Sequence, residues 1–151
     1  MSFRLSTKGR YGVRAIARLA DDGSNQPVSI QTIANDEQIP VRYLEQLMNR
    51  LRKSGLVKSI RGARGGYQLT KPSDTITLGE IIEALEGKVA VSNCVEETKK
   101  SGCAYQGLCR FNPFWNELSQ SIQNYLNHVY LSDLIQGQWK KNTLFTQQEV
   151  K

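Results

Sequence analysis

A mainly α-helical fold with one small β-hairpin is predicted by three features of the sequence. Apolar residues return at spacings of three and four in five separate stretches, the period of a helix with one buried face. Two short runs with strand character flank a single glycine-rich turn, Arg61 to Gly66. The hydrophobic share of 39%, with twelve glycines in 151 residues, lies in the globular range and allows one domain with a core of its own.

The first helix is expected from Tyr11 to Leu19, where Val13, Ile16, Ala17 and Ala20 share a face and Arg14 and Arg18 stand one turn apart on another. Asp21 to Pro27 is a turn cluster that ends it. Ser29 is placed to cap a second helix, Ile30 to Glu37, with Ile30, Ile33 and Ala34 spaced for burial. After the tight break Gln38-Ile39-Pro40, proline suits the opening turn of a third helix because its missing N–H costs nothing there. In that helix, VRYLEQLMNRLRKSG, Leu44, Leu47, Met48 and Leu51 fall at i, i+3, i+4 and i+7, and Gly55 stands where a C-terminal cap belongs. Its other side shows Arg42, Glu45, Gln46, Asn49 and Lys53.

Leu56–Ile60 and Tyr67–Thr70 are the two strands, joined by RGARGG into a hairpin with a basic tip. The turn lacks the Lys-Ser/Thr ending of a phosphate loop. Thr77-Leu78-Gly79-Glu80 is a capping box that opens a helix through Leu85, closed by Gly87. Phe114 to Leu131 is expected as one long amphipathic helix with Phe114, Leu118, Ile122, Tyr125, Leu126 and Val129 along its apolar stripe. Such a stripe packs either on its own domain or on a second copy of the chain. The tail after Ile135 is polar and is expected to be loosely held.

Charge is unevenly spread. Residues 1–70 hold twelve Lys or Arg against five acids, a net of +7, while the remainder nets −1. One basic half is the footprint of a surface for a polyanion. Two short helices, a helix with a polar outer face and a basic hairpin, in that order, form a winged helix-turn-helix pattern. Its physics suits double-stranded DNA: a helix fits the major groove, where base edges carry a distinct donor and acceptor code, and a wing can carry arginine to the minor groove. The N-terminal stretch is basic, but Arg14 and Arg18 interrupt any secretory apolar core, and no apolar run reaches the roughly 20 residues of a membrane span. A cytoplasmic chain is expected. No catalytic constellation emerges: there is one histidine and no dinucleotide fingerprint, which disfavours an enzyme.

All three cysteines, Cys94, Cys103 and Cys109, lie in one loop, NCVEETKKSGCAYQGLCRFN. An odd number in an apparently cytosolic chain points away from a disulfide framework. No C-x2-4-C knuckle favours structural zinc. Three soft thiolates suit an iron-sulfur cluster that draws its fourth ligand from elsewhere; a disulfide switch, zinc or inert thiols stay open from spacing alone. Lys99, Lys100 and Arg110 are placed to offset the negative charge of thiolates or a cluster.

RLSTKGRYGVRAIARLA, YLEQLMNRLRKSGLV, RGARGGYQL and the three-cysteine loop running into FW-x-x-L resemble, as an ordered set over roughly residues 3 to 135, the iron-sulfur cluster-binding winged-helix regulators of the IscR, NsrR and RirA type, IscR above all. The resemblance implies a bacterial homodimeric transcription factor whose cluster, of the 2Fe-2S type, alters its promoter binding. It implies Cys94, Cys103 and Cys109 as cluster ligands, Tyr43, Glu45 and Gln46, alongside Arg42, as DNA-reading positions, and Arg61 with Gly62 as the wing tip. Glu45 repels phosphates yet can accept from cytosine, so it tunes specificity in both directions. Two departures leave the fourth ligand unassigned. Asn112 stands where IscR-like members carry histidine, and Arg10 where NsrR-like members carry aspartate. His128 reads as a surface or interface residue. The organisation expected is a DNA-binding domain at 1–87, a cluster loop at 88–112, a dimerisation helix at 113–135 and a tail at 136–151. Two rival readings are a cluster-free regulator governed by thiol oxidation or a partner protein, and, more remotely, an iron-sulfur electron carrier or enzyme.

Overall fold

The computed structural model describes residues 5–21, 23, 24, 26–96, 105 and 107–139. Helix α1 spans Thr7–Arg18, starting a turn earlier than periodicity suggests, because Ser6 Oγ accepts from Gly9 N at 3.3 Å and caps it. Gly9 and Gly12 weaken helix propensity there, but both are buried: a Cβ on Gly12 would overlap Leu85, and one on Gly9 would overlap Glu86. The two glycines let α1 lie close against α4, Leu78–Glu86.

Helix α2, Ile30–Glu37, opens as expected on Ser29, whose Oγ accepts from Thr32 N at 3.1 Å. It ends on Gln38, which adopts a left-handed conformation (φ 53°) and turns the chain into α3, Val41–Lys53. Leu44, Leu47, Met48 and Leu51 of α3 are fully buried against Ile16, Ile33, Ile81 and Leu85 in a single core. Burial of each such side chain is worth about 1.5–3 kcal/mol, so the apolar stripe fixes which side of α3 faces out.

Strands β1, Val57–Ile60, and β2, Gly66–Leu69, pair antiparallel, with Val57 opposite Leu69 and Ile60 opposite Gly66. β1 starts one residue later than the sequence suggests and ends where expected, while β2 lies one residue earlier. Tyr67 also exchanges both backbone hydrogen bonds with Val28 at 2.8 Å, so the segment before α2 edges the hairpin. Only glycine fits at position 66, where φ is 156° and a Cβ would overlap the Val28 carbonyl.

The capping box is present on α4: Thr77 Oγ1 accepts from Glu80 N at 3.1 Å and Glu80 Oε2 accepts from Thr77 N at 2.8 Å. Lys71 Nζ lies 2.7 Å from the other carboxylate oxygen. The long C-terminal helix is shorter than its apolar stripe predicts. Helix α5 covers Asn112–Asn127; the chain then unwinds, Tyr130 bridges to Thr77, and α6 follows at Leu131–Ile135. The break has a tertiary cause. Leu78 N donates to Val129 O at 2.7 Å and Leu131 N to Ile76 O at 2.8 Å, while Val129 and Leu131 enter buried positions. No helix among the described residues is long and apolar enough to cross a membrane. Most of the tail expected at 136–151 lies outside the described residues.

Candidate nucleic-acid interface and cysteine site

Because one side of α3 is held in the core, the residues between its buried positions are forced outward. Arg42, Glu45, Gln46, Asn49 and Lys53 are all exposed. Arg42, Glu45 and Gln46 make no side-chain hydrogen bond or ion pair among the described residues. Asn49 Oδ1 accepts from Arg52 at 3.0 Å. Tyr43 differs: it is half-buried, with its ring edge-on to Tyr11. At the hairpin tip Arg61, Gly62, Ala63 and Arg64 are exposed, and Gly62 takes φ 115°, a conformation that glycine adopts without strain.

Not every cation of the basic half belongs to this face. Arg14 Nε pairs with Glu37 at 2.8 Å, Arg18 Nε pairs with Asp36 at 2.7 Å, and Arg50 Nη1 donates to the Leu85 carbonyl at 3.4 Å. These three brace helix against helix. Counting charges along the sequence could not separate them from Arg42, Arg61 and Arg64, because their partners lie in other elements.

The cysteine site is organised by Asn112, the first residue of α5. Its backbone N donates to the Cys109 carbonyl and its Nδ2 to the Cys94 carbonyl, both at 3.3 Å. One residue thus ties both cysteine segments to the N-terminal end of α5. Cys94 sits in a 3-10 turn, Asn93–Val95, with Sγ 3.2 Å from Ser92 Oγ, and both thiols are half-buried. The segment leading to Cys94 is held along α5: Val91 N donates to Ser119 Oγ at 3.1 Å and Val89 N to Gln123 Oε1 at 3.3 Å. Ser119, buried in a helix that is otherwise exposed on most sides, was not singled out by the sequence; a serine in a mid-helix position carries no local signal of such a role. Cys103, Lys99 and Lys100 lie outside the described residues. Among the described residues no three His, Cys, Asp or Glu side chains converge as a metal site. His128 caps the far end of α5, sixteen residues or roughly 24 Å along the axis from Asn112, and so lies far from Cys94 and Cys109.

Two thiols at a helix N-terminus fit a soft, anionic metal group, since the helix end favours negative charge and thiolate sulfur is a soft donor. Asn112 fits less well as a ligand than as a latch, because its side-chain nitrogen already donates to Cys94.

A turn between two helices, an outward polar helix face and a basic hairpin beside it define a winged helix-turn-helix protein. Comparison with known proteins narrows the class. Residues 5–137 match the Rrf2 family model, described as an iron-dependent transcriptional regulator, and the chain belongs to the Rrf2 family of DNA-binding transcription regulators. It is 41% identical over 133 residues to an HTH-type transcriptional regulator of Haemophilus influenzae, covering 87% of this chain and 86% of that protein. It is 38% identical over 135 residues to the HTH-type transcriptional regulator IscR of Klebsiella pneumoniae, covering 89% and 81%. The structure of CymR, the global cysteine regulator of B. subtilis, superposes with a TM-score of 0.70 at 36% identity, covering 90% of this chain and 98% of that one.

Proposed function

We propose that this protein is a cytoplasmic homodimeric regulator that binds promoter DNA through α3 and the hairpin tip and is controlled by an iron-sulfur cluster on Cys94, Cys103 and Cys109, of the 2Fe-2S type. The observation that carries the reading is the Asn112 latch, which gathers two of the three cysteines onto the helix that also meets α4. Arg42, Tyr43, Glu45 and Gln46 would read bases or phosphates, and Arg61 and Gly62 would enter the adjacent groove.

A bound cluster would supply a link between the three cysteine segments that depends on iron-sulfur supply and redox state. The chain does the rest. Asn112 sets the Cys94 segment against α5, Ser119 and Gln123 hold the chain before it, and that stretch begins at the end of α4. There Glu86 accepts from Ser6 Oγ at 2.6 Å and Leu85 accepts from Arg50 of α3. Order in the loop therefore reaches both the start of α1 and the reading helix.

The likeness to CymR supports a second reading, in which thiol oxidation or a partner protein acts on the same loop without a cluster. Anaerobic purification separates the two. Iron and acid-labile sulfide in equal amounts, with visible absorption lost in a Cys109→Ala variant, are expected; a colourless protein free of both, whose DNA affinity changes with thiol oxidation, would establish the second reading instead.

A further inference from the structure

We propose that Tyr11 is a positioning residue for DNA reading: braced by Arg14, it fixes the ring of Tyr43 at the start of α3. The inference rests on the assignment of α3 as the DNA-reading helix. Tyr11 lies on α1, outside the two helices of the turn. Its ring meets that of Tyr43 edge to face, with centroids 6.2 Å apart and planes at 75°, an arrangement the ring quadrupoles favour. The Arg14 guanidinium carbon stands 5.8 Å from the Tyr11 centroid, within cation-π reach.

Arg14 is itself immobilised. Its Nε donates to Glu37 Oε2 at 2.8 Å and its Nη2 to the Glu37 carbonyl at 2.6 Å. Glu37 is the last residue of α2, directly before the left-handed Gln38. One chain of contacts thus joins α1, the turn of the helix pair and the first turn of α3. Arg14, neutralised by Glu37, has its charge engaged within the protein.

The two rings are packed on the core, yet neither phenol hydroxyl has a hydrogen-bond partner among the described residues. A tyrosine that is free to rotate loses side-chain entropy when it engages DNA; one already held by a neighbouring ring loses less. Tyr11 supplies that holding contact, and the Tyr43 hydroxyl at the rim is left for the ligand.

The full-length protein is used to enrich duplexes from a random-sequence pool; the enriched duplex and a scrambled one are then titrated at fixed salt. Tyr11→Ala is expected to weaken binding to the enriched duplex roughly three- to tenfold while leaving the scrambled duplex unaffected. Tyr11→Phe, which keeps the ring edge, is expected to match the parent. In a Tyr43→Ala background Tyr11→Ala should add no further loss. Should Tyr11→Ala fail to fold, Tyr11→Leu, with apolar bulk but no ring, should give the same selective loss. Additive losses in the double variant, an equal fall on both duplexes, or a Phe variant as weak as the Ala variant would overturn the proposal, the last by making the Tyr11 hydroxyl a direct contact. Failure to enrich any duplex would instead overturn the DNA reading of α3 itself.

Discussion

At the scale of single residues, position relative to the fold separates cations left exposed from cations engaged within the protein. Arg61 and Arg14 are indistinguishable in a charge count. Arg61 is exposed at a glycine-supported tip with no partner among the described residues, whereas Arg14 is bound twice to Glu37. Replacing Arg61 by Ala is expected to lower affinity for a specific duplex by about 1–3 kcal/mol if it meets a base edge; unchanged affinity at fixed salt would refute the wing assignment. Glu80 offers a residue-scale test of stability. Burial alone would raise its pKa, but the hydrogen bonds from Lys71 and from Thr77 and the charge of Lys71 outweigh it, so the carboxyl lies below its usual 4.5. A lowered folded pKa gives a contribution that is present above the unfolded value and lost as pH falls through the folded one. Urea midpoints of the parent and Glu80→Gln should therefore differ at neutral pH and converge below pH 4.5; a gap that does not narrow would show that the carboxylate charge is not what stabilises the box.

At the scale of elements, the sequence is legible where partners are close along the chain. The Ser29 cap, the Thr77–Glu80 box and the i, i+3, i+4, i+7 stripe of α3 all complete themselves within a few residues, and each is found where it was expected. Asn112 was read as a missing ligand, yet its backbone and side chain join segments that spacing cannot bring together. The end of α5 was hidden for the same reason: helical periodicity runs on through Val129, but bonds to Ile76 and Leu78 far upstream outcompete the helix. Gly12 shows the reverse case, a residue poor for a helix but required by the neighbouring one. Gly12→Ala gains about 1 kcal/mol of helix propensity and meets Leu85, where overpacking costs about 1–3 kcal/mol. A net loss of stability is expected in thermal unfolding, and a raised Tm would mean that α4 shifts without cost.

At the scale of the whole molecule, α5 turns buried polar groups inward and leaves apolar ones exposed. Its side toward α4 and the segment before Cys94 carries polar groups, with Ser119 buried, Gln123 bonded to Val89 and to Asn127, and Asn127 lying against Gly79. Part of its apolar stripe is open: Phe114 is 56% exposed and Leu118 37%, and Phe111 at 61% and Leu108 at 88% precede them at spacings of three. An apolar run of this kind marks an interaction surface. A second copy placed there would form a two-fold interface and set the spacing of two reading helices about one turn of DNA, ~34 Å, apart. Leu118→Glu puts a charge into that interface without touching the face that holds α4. It should yield a monomer in light scattering, with secondary structure retained. Because each promoter site would then be met by one head rather than two, its affinity should fall steeply and the salt dependence of binding should flatten to about half the slope. A Leu118→Glu variant that stays dimeric and binds as the parent does would move the interface off α5 altogether.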